Sequence, residues 1–502
     1  MAEIARRLKL GNTIREQTFI GAEQFMSNEL KKIYEAASYN GVLVNKYELL
    51  DNSYRASGGF EDGSYLIPHP RELADKYVRR KNMSYYINYV KPVVDSHVNP
   101  IFKNKPIRKG LSSTYEKFIQ DVDGNGTTLT RFMKKAAIRA KLHGVEFIVV
   151  DMEQLEEGQI VTEKDIIEQR LYPYLYLISP SQVNNWALDK FGNLIYFSYT
   201  ITSNFVDDEG NIKSLGETYT WTNDYCIRQI QGEEKRKIVN PLGIIPIVPL
   251  YGAINDSDTL IPQSDVYAIA RTNYALYNAC SEERERARSQ AFSMLIYPIA
   301  DDDDYDSGDE PLQYGTADML LYRGTTHGKP EFITPPTDST DILLAEINFM
   351  IKEIYRMANM QFAIEGSKYN ISGIVKEWEN QQLFQTISEL AQGLQEAEYK
   401  IAKVFSRYMG ENMDGISVTY NNQYGIVDST SVLTNATQAL ALNICGSYNE
   451  AMKEQVIRAT LKDVDSSVID TILNDLQNTP TAKEGLESEV KLVQPSTSGV
   501  SV

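Results

Sequence analysis

The chain has 502 residues and a formal charge of −18, because 68 aspartates and glutamates outnumber 50 lysines and arginines. The length predicts two or more subdomains, and an apolar fraction of 42% is typical of a folded chain. Since no apolar run approaches the roughly 20 residues that cross a bilayer, and none follows the basic N-terminal stretch, we expect no membrane partner and no signal peptide. Three scattered cysteines without a CxxC pair favour synthesis in a reducing cytoplasm.

The acidic balance also limits how the chain could meet DNA. A protein that grips duplex DNA needs a basic face, because neutralising phosphates releases counterions and supplies most of the affinity. We therefore expect any contact with DNA to be loose, or to depend on a few local cations.

The first half of the sequence predicts a mixture of helices and strands. Helical spacing runs over Gly21–Ala37, over His69–Val98 with a kink or break at Pro92, and over Leu129–Leu142. A turn at Gly124 and Gly126 precedes the third helix. Apolar, β-branched runs bounded by turn residues predict strands at Val145–Val150, Tyr174–Ile178, Leu194–Thr202, Glu217–Thr222 and Ile244–Leu250.

The second half is mainly helical. Charged helix Asp265–Gln290 is followed by a strand-and-loop insert, Phe292–Pro336. Ser339 is a candidate N-cap for a helix to about Met360, with an apolar stripe of Leu343, Ile347, Met350, Ile351 and Ile354. A loop at Phe362–Gly373 precedes a very long helix, Val375–Met409, in which Gly393 marks a soft point.

The end of the chain predicts short helices and a tail. Residues Asp428–Leu476 have helical spacing that is interrupted at Gly446 and at Asp463–Ser467. The stretch from Thr479 onward is polar and without aromatics, which is typical of disorder.

Metal sites and catalytic signatures are weak or missing in the sequence. DVDGNG, from Asp121 to Gly126, matches the first half of an EF-hand loop, but position twelve is Phe132 instead of glutamate, which favours a turn. No P-loop, HExxH, GxSxG or GxGxxG motif occurs, so we expect neither a cofactor nor an enzyme. The four histidines are far apart, and each favours a structural role: His69, His97, His143 and His327.

The run SEERERAR, from Ser281 to Arg288, alternates charge sign on the predicted helix. Glu282 and Arg286 lie four residues apart, as do Arg284 and Arg288. Two interpretations stay open. The run is either a solvated helix face or a surface that offers both signs to a neighbouring subunit.

The order of these elements resembles the portal (head-to-tail connector) proteins of tailed bacteriophages. Three segments carry the resemblance within about residues 60–410: DVDGNGTTLTRFMKKAAIRAKLHGVEFIVVD, YLYLISPSQVNNWALDKFGNLIYF and GIIPIVPLYGAINDSDTLIPQSDVYAIARTNYALYNACSE. They are similar to the family's helix–glycine–strand segment, its following strand pair, and its strand leading into the first stem helix. An insert, a second helix, a loop and a long helix follow in the family's order.

The resemblance implies an α+β portal fold with a mixed α/β wing, a two-helix stem, a small β-containing clip, a long bent wing helix and a short helical crown. By position, the implied regions are the wing (1–258), stem helix 1 (259–290), the clip (291–336), stem helix 2 (337–360), the tunnel loop (361–374), the long helix with the rest of the wing (375–425), the crown (426–478) and a disordered tail (479–502).

The resemblance also implies partners and a location. Portal proteins form a ring, usually of twelve subunits, at one capsid vertex, surrounded by the major capsid protein. Double-stranded DNA slides through the channel without sequence-specific contacts. The terminase large subunit docks on the clip, and the head-completion or neck adaptor follows it. The chain would then be made in the host cytoplasm and reside in the virion.

Three sets of residues carry the expected functions. Glu282, Arg284, Glu285, Arg286 and Arg288 are expected at stem contacts between subunits. In the clip, Phe292–Ile299 should pair with Met319–Tyr322 and leave an acidic docking loop with Asp301, Asp302, Asp303, Asp304 and Asp306. In the tunnel loop, Ser367, Lys368, Tyr369 and Asn370 are expected to face DNA.

Two alternatives belong to other classes. One is a different virion structural protein, such as a tail or baseplate component. The other is a metal-dependent enzyme acting on nucleic acid, whose scattered carboxylates would converge in space on Mg²⁺.

Overall fold

A computed structural model describes residues 46–70, 72–152, 170–206, 210, 212–230, 235–255, 259–290, 294–299, 319–323, 329, 331–333, 338–360, 373–413, 415–421, 424, 429–442, 444–461 and 466–478. The chain divides into two compact units, residues 1–424 and residues 425–502. The helix predicted at Gly21–Ala37 and the tail from Thr479 lie outside the described residues.

Some helices of the first unit begin at a side-chain N-cap. Thr128 Oγ1 accepts from the Arg131 amide before one helix, and Ser264 Oγ accepts from the Val266 amide before another. In chain order the helices are α1 (Lys46–Arg55), α2 (Ala74–Met83), α3 (Val90–Val98), α4 (Ser113–Phe118), α5 (Leu129–His143), α6 (Val266–Gln290), α7 (Asp338–Met357) and α8 (Gly373–Met409).

The sequence predicted a helix over His69–Val98 with a kink or break at Pro92, but the break lies earlier in the chain. The chain forms α2, a non-helical stretch at residues 84–89, and then α3. Pro92 lies in the first turn of α3, where a proline costs no backbone hydrogen bond, so the break precedes it. Other boundaries moved by a few residues: α7 begins one residue before Ser339, and α8 begins at Gly373.

Within the described ranges, the strands of the first unit form four sheets. Their bounds are β1 (Ile107–Lys109), β2 (Val145–Asp151), β3 (Tyr174–Ile178), β4 (Val183–Leu188), β5 (Leu194–Val206), β6 (Ile212–Thr222), β7 (Tyr225–Ile230), β8 (Arg236–Val239), β9 (Ile247–Tyr251), β10 (Met294–Ile299), β11 (Met319–Arg323), β12 (Glu331–Ile333) and β13 (Ser417–Thr419). The sheet orders are β3-β2-β9, β4-β5-β6-β7-β8, β11-β10-β12 and β1-β13.

Strand β2 separates two cores. Val145, Phe147 and Val149 face the five-stranded sheet and pack with residues of β5, β6 and β7. Ile148 and Val150, on the opposite side of the strand, belong to the helical core. Because side chains alternate along a strand, burial on both faces produces the continuous apolar run that predicted this strand.

Helix α8 runs through the helical core of the first unit. Its apolar residues recur at helical spacing and are buried or half-buried at each of these positions: Leu383, Phe384, Ile387, Leu390, Ala391, Leu394, Ile401, Val404, Phe405 and Tyr408. The 37-residue length of α8 therefore depends on tertiary packing along one stripe. A bend at Gly393 stays a prediction.

An aromatic cluster joins the segment after α1 to helix α6. Phe60 stacks on Tyr86 with ring centroids 3.9 Å apart and meets Tyr277 edge-on at 5.3 Å. None of the helices in the described ranges is long and apolar enough to span a membrane.

The second unit is helical where it is described. It contains α9 (Ser429–Leu442), α10 (Gly446–Thr460) and α11 (Ser466–Asn478), with α10 packed against both neighbours. Helix α9 ends at Leu442 before α10 begins at Gly446, and α10 ends at Thr460 before α11 begins at Ser466.

Candidate functional site

The two helices predicted as the stem are α6 and α7, and they pack against each other. The first half of α6 is anchored in the helical core through Val266, Ile269 and Leu276. Helix α6 begins one residue after the predicted start at Asp265, and Ser264 Oγ accepts from the Val266 amide at that end. The charged run from Ser281 to Arg288 therefore occupies the second half of α6.

Residues of α2, together with Tyr85 just after it, contact part of this charged run. Arg80, which is buried, donates from Nη1 to Ser281 Oγ at 3.1 Å and from Nη2 to Glu72 Oε2 at 2.8 Å. The Arg284 guanidinium lies 5.0 Å from the Tyr85 ring centroid, and Arg288 contacts the Met83 sulfur. Both arginines are nevertheless exposed.

Residues of the charged run differ in their exposure to solvent. Glu282 is exposed, whereas Glu285 and Arg286 are half-buried. The Glu285 Oε2 atom is buried and has no hydrogen-bond partner among the described residues. A buried carboxylate oxygen without a partner is costly, so this position favours a cation or donor supplied from outside the described part of the chain.

Helix α7 has two apolar faces. The predicted stripe packs inward, with Met350 and Ile354 buried and Leu343, Ile347 and Ile351 half-buried. On its other sides Ile342, Leu344 and Phe349 are exposed at 71%, 41% and 62%. Several large apolar residues exposed on one helix are typical of a surface that another protein covers.

The insert between α6 and α7 contains a small sheet. The predicted pairing is confirmed: β10 pairs with β11 in register Leu295–Met319 to Ile299–Arg323. The pairing is parallel, and β12 adds an antiparallel partner on the other edge of β10. Parallel neighbours need a long connection, and here it is the acidic segment 300–318.

The predicted clip and tunnel loops themselves lie outside the described residues. This applies to Asp301, Asp302, Asp303, Asp304 and Asp306, and to Ser367, Lys368, Tyr369 and Asn370. The tunnel loop's flanks are described. Helix α7 ends near Asn359, which has a φ of 56°, and α8 begins at Gly373. The left-handed conformation at Asn359 ends the helix in the manner of a C-cap.

The DVDGNG segment forms a turn and leaves little room for a metal. Asp121 Oδ1 accepts from the amides of Gly124 at 2.8 Å and Gly126 at 3.0 Å. Its other oxygen accepts from Arg170 Nε at 3.1 Å. In the described ranges no three potential ligands are grouped as a metal site.

Two histidines are buried in opposite electrostatic settings. Burial, with the Lys141 ammonium nearby, lowers the pKa of His97 to about 4. Burial also disfavours the charged form of His143, but this is outweighed by Asp51 and Glu146, each 3.3 Å from one ring nitrogen, so the pKa of His143 is raised.

The network around His143 was not predicted from the sequence. Glu146 is fully buried on the helical face of β2, where it also accepts from Arg139 Nη1 at 3.1 Å and from Ser179 Oγ at 3.2 Å. The available signal was a glutamate inside an otherwise apolar strand. Because Ser179 donates to a carboxylate and does not meet His143, the arrangement lacks the serine–histidine contact of a hydrolase.

Comparisons with known proteins give weak similarities only. No protein-family model and no curated protein matches the chain. A chain in a solved structure of the virion of a native gene transfer agent particle is similar at 12% identity and a TM-score of 0.38, covering 78% of this chain and 87% of that one. A chain in the neck of an empty gene transfer agent particle is similar at 11% identity and a TM-score of 0.41, covering 82% and 93%. Since both TM-scores are below 0.5, they carry no conclusion about this chain's function.

Proposed function

We propose that this chain is the portal protein of a phage-like particle, forming a ring through which DNA enters and leaves the capsid. The observation that carries the proposal is the order α6, three-stranded sheet, α7, segment 358–372 and long α8. This order supports a two-helix stem with a clip at one end and a tunnel loop before the long wing helix.

The surface of the stem supports assembly of several copies. Ile342 and Phe349 expose apolar area that a single chain leaves in water. Glu285 presents a buried oxygen without a partner in the described part of the chain, and Glu282, Arg284 and Arg288 are exposed close by on α6. A closed ring would cover the apolar residues and bring cations of one copy to carboxylates of the next.

The clip is the proposed docking site for the packaging motor and later for the neck adaptor. Its acidic connection, with Asp301, Asp302, Asp303 and Asp304, concentrates like charges that would repel one another in a ring. A basic partner surface would relieve that repulsion. Changing these four residues to asparagine should weaken motor or adaptor attachment without affecting ring formation.

The tunnel loop is proposed to contact DNA through one cation per subunit. Lys368 would touch phosphates weakly enough to let DNA slide, while Tyr369 and Asn370 add contacts that do not read sequence. We expect Lys368→Glu to leave the ring intact and to shorten or destabilise the packaged genome. A full-length packaged genome in this variant would contradict the role.

Ring formation can be tested directly on the purified chain. Native mass spectrometry should show a closed assembly of about twelve copies, and negative-stain images should show an open channel. Phe349→Asp should reduce the assembled fraction by placing a carboxylate in the covered surface. Phe191→Asp is the matched control, because Phe191 is 77% exposed in the turn between β4 and β5.

The outcomes separate the candidate functions. Monomers at every protein concentration and salt concentration would contradict the portal proposal. A symmetric assembly without an open channel would favour a tail or baseplate component instead.

A further inference from the structure

A basic groove lies between helices α1 and α5. Its volume is about 330 Å³. The charged residues lining it, which define the basic groove, are Arg55, Arg131, Lys134, Lys135, Arg139 and Asp51.

The cations line up because of helical periodicity. Arg131, Lys135 and Arg139 are four residues apart on α5, so they recur about every 6 Å along its axis. Lys134 lies beside this row, and Arg55 faces it from α1. A linear array of positive charges suits a ligand whose negative charges also repeat along a line.

The carboxylates near the groove already have partners within the chain. Asp51 Oδ1 lies 3.3 Å from His143 Nε2, and the Arg139 guanidinium donates to buried Glu146 at 3.1 Å. Arg55, Arg131, Lys134 and Lys135 have no carboxylate within ion-pair distance in the described part of the chain. Four cations are therefore available to a ligand.

This local positive charge contrasts with the formal charge of the whole chain, which is −18. Like charges gathered in one groove repel, and partial burial of Lys134 reduces the screening that water provides. An anionic ligand would remove the repulsion. The charge of the groove thus points to a multivalent anion as its ligand.

The rest of the lining argues against recognition of a base sequence. Ile138, Leu142 and Tyr54 complete the groove, and no asparagine or glutamine is among its residues, all of which the structure describes. Asparagine, glutamine and arginine are the side chains that most often read base edges, whereas arginine and lysine also bind phosphates. Arg55 and Arg131 can each bind a phosphate with two nitrogens.

We propose that the basic groove binds the phosphodiester backbone of nucleic acid without reading its sequence. The identity of the ligand rests on the proposed function, since a DNA conduit would bring phosphates to the protein. An acidic protein segment is the competing ligand, and its carboxylates would be recognised by the same cations.

The test measures DNA affinity as a function of salt. A fluorescent random-sequence duplex is titrated with the full-length protein, and the slope of log affinity against log salt concentration gives the number of phosphates neutralised. Lys134→Glu/Lys135→Glu should weaken binding at least tenfold and reduce the slope by about two. Lys134→Gln/Lys135→Gln should give the same change in slope with a smaller loss of affinity. Lys103→Glu/Lys105→Glu, on an exposed loop, changes the net charge equally and should leave the slope unaltered.

The outcomes distinguish this site from the proposed function. Equal losses in the groove variant and in the Lys103/Lys105 control would overturn the groove as the site. Polyglutamate binding as tightly as DNA at the same salt concentration would assign the groove to an acidic partner and overturn the nucleic-acid proposal. Rings that form normally but do not bind the duplex would refute only the groove. Monomers that bind it with the predicted slope would refute only the portal assignment.

Discussion

Removing the guanidinium of Arg108 should destabilise the first unit strongly. Arg108, on β1, donates from Nη2 to Glu398 Oε2 at 3.2 Å, from Nε to the other oxygen of Glu398, and from Nη1 to Thr130 Oγ1 at 3.1 Å. Glu398 lies in the middle of α8 with a side chain that is 0% exposed, and the Arg108 side chain is 10% exposed. Arg108→Ala would leave a buried carboxylate without its cation.

The size of the effect depends on the hydrogen bonds that Glu398 keeps in the variant. Breaking a buried ion pair by removing one partner costs about 3–5 kcal/mol. Tyr420 Oη still donates to Glu398 Oε2 at 2.8 Å in the variant, so we expect a value near the lower end, about 3 kcal/mol. The loss should include the pairing of β1 with β13, because Arg108 lies opposite Val418 in that register.

Urea unfolding at one fixed, low protein concentration, followed by circular dichroism, measures this cost. Arg356→Ala is the control, because Arg356 and Glu353 form an exposed pair on α7 at 2.7 Å, and we expect no measurable shift of the midpoint. The double variant Arg108→Met/Glu398→Leu should recover most of the lost stability, since it leaves no unpaired buried charge. A loss below about 1 kcal/mol for Arg108→Ala, or a double variant as unstable as the single one, would refute the reasoning.

Further predictions concern pH, thiols and backbone strain. The pKa of His97 is lowered to about 4 from an unfolded value near 6.5, so its contribution to the free energy of unfolding is fully present above pH 6.5 and is lost as the pH falls. The loss by pH 5 is about 2 kcal/mol. In urea unfolding, His97→Gln should lack that part of the pH dependence. Cys445 is exposed and should react rapidly with a thiol reagent, whereas Cys226, buried with its pKa raised to about 12, should react only on unfolding; rapid loss of both thiols in the native protein would be inconsistent with this burial. Gly144→Ala should cost more than about 1 kcal/mol in the same unfolding assay, because φ is 93° and a Cβ would lie 2.8 Å from a backbone carbonyl oxygen. Gly126→Ala, at φ 76° with no neighbour within 4 Å of the added Cβ, should cost less. Equal costs would contradict the contribution of the steric clash at Gly144.

Long elements with one clear period were predictable from the sequence. Helix α5 was expected over Leu129–Leu142 and extends to His143, and α8 differs by two residues at its start. Strand β2 was predictable because burial of both its faces requires a mostly apolar sequence. In each case local periodicity and tertiary packing favour the same structure.

Elements that depend on distant partners were not predictable. Strands β1 and β13 have three residues each and pair across about 300 residues of chain, so neither has a pattern of its own. Strands β4, β7 and β8 were not predicted either. They are only partly buried, so apolar and polar residues do not alternate clearly along them. The pairing of β10 with β11 was expected, but its parallel sense was not predicted, because the sequences of the two strands do not indicate it.

The basic groove shows why a site formed by distant segments could not be predicted from the sequence. The spacing of Arg131, Lys135 and Arg139 is visible in the sequence, where it favours an ordinary solvated helix face. Arg55 lies more than 70 residues away, and only the packing of α1 on α5 places it opposite the row. Which carboxylates neutralise which cations is likewise a property of the fold, as Glu146 and Arg139 demonstrate.

The contrast between Glu398 and Glu285 bears on assembly. Each has a buried carboxylate oxygen on a long helix, but Glu398 receives a guanidinium and a tyrosine hydroxyl from its own chain. Glu285 Oε2 receives no hydrogen bond from any described residue, and it lies on the helix that packs against α7, where Ile342 and Phe349 expose their apolar side chains. A single copy thus supplies partners to the Glu398 carboxylate but leaves Glu285 Oε2 without a hydrogen bond from the described residues and the side chains of Ile342 and Phe349 exposed. A second copy placed against α6 and α7 would cover both kinds of group at once, which favours these two helices as the contact surface of the proposed ring.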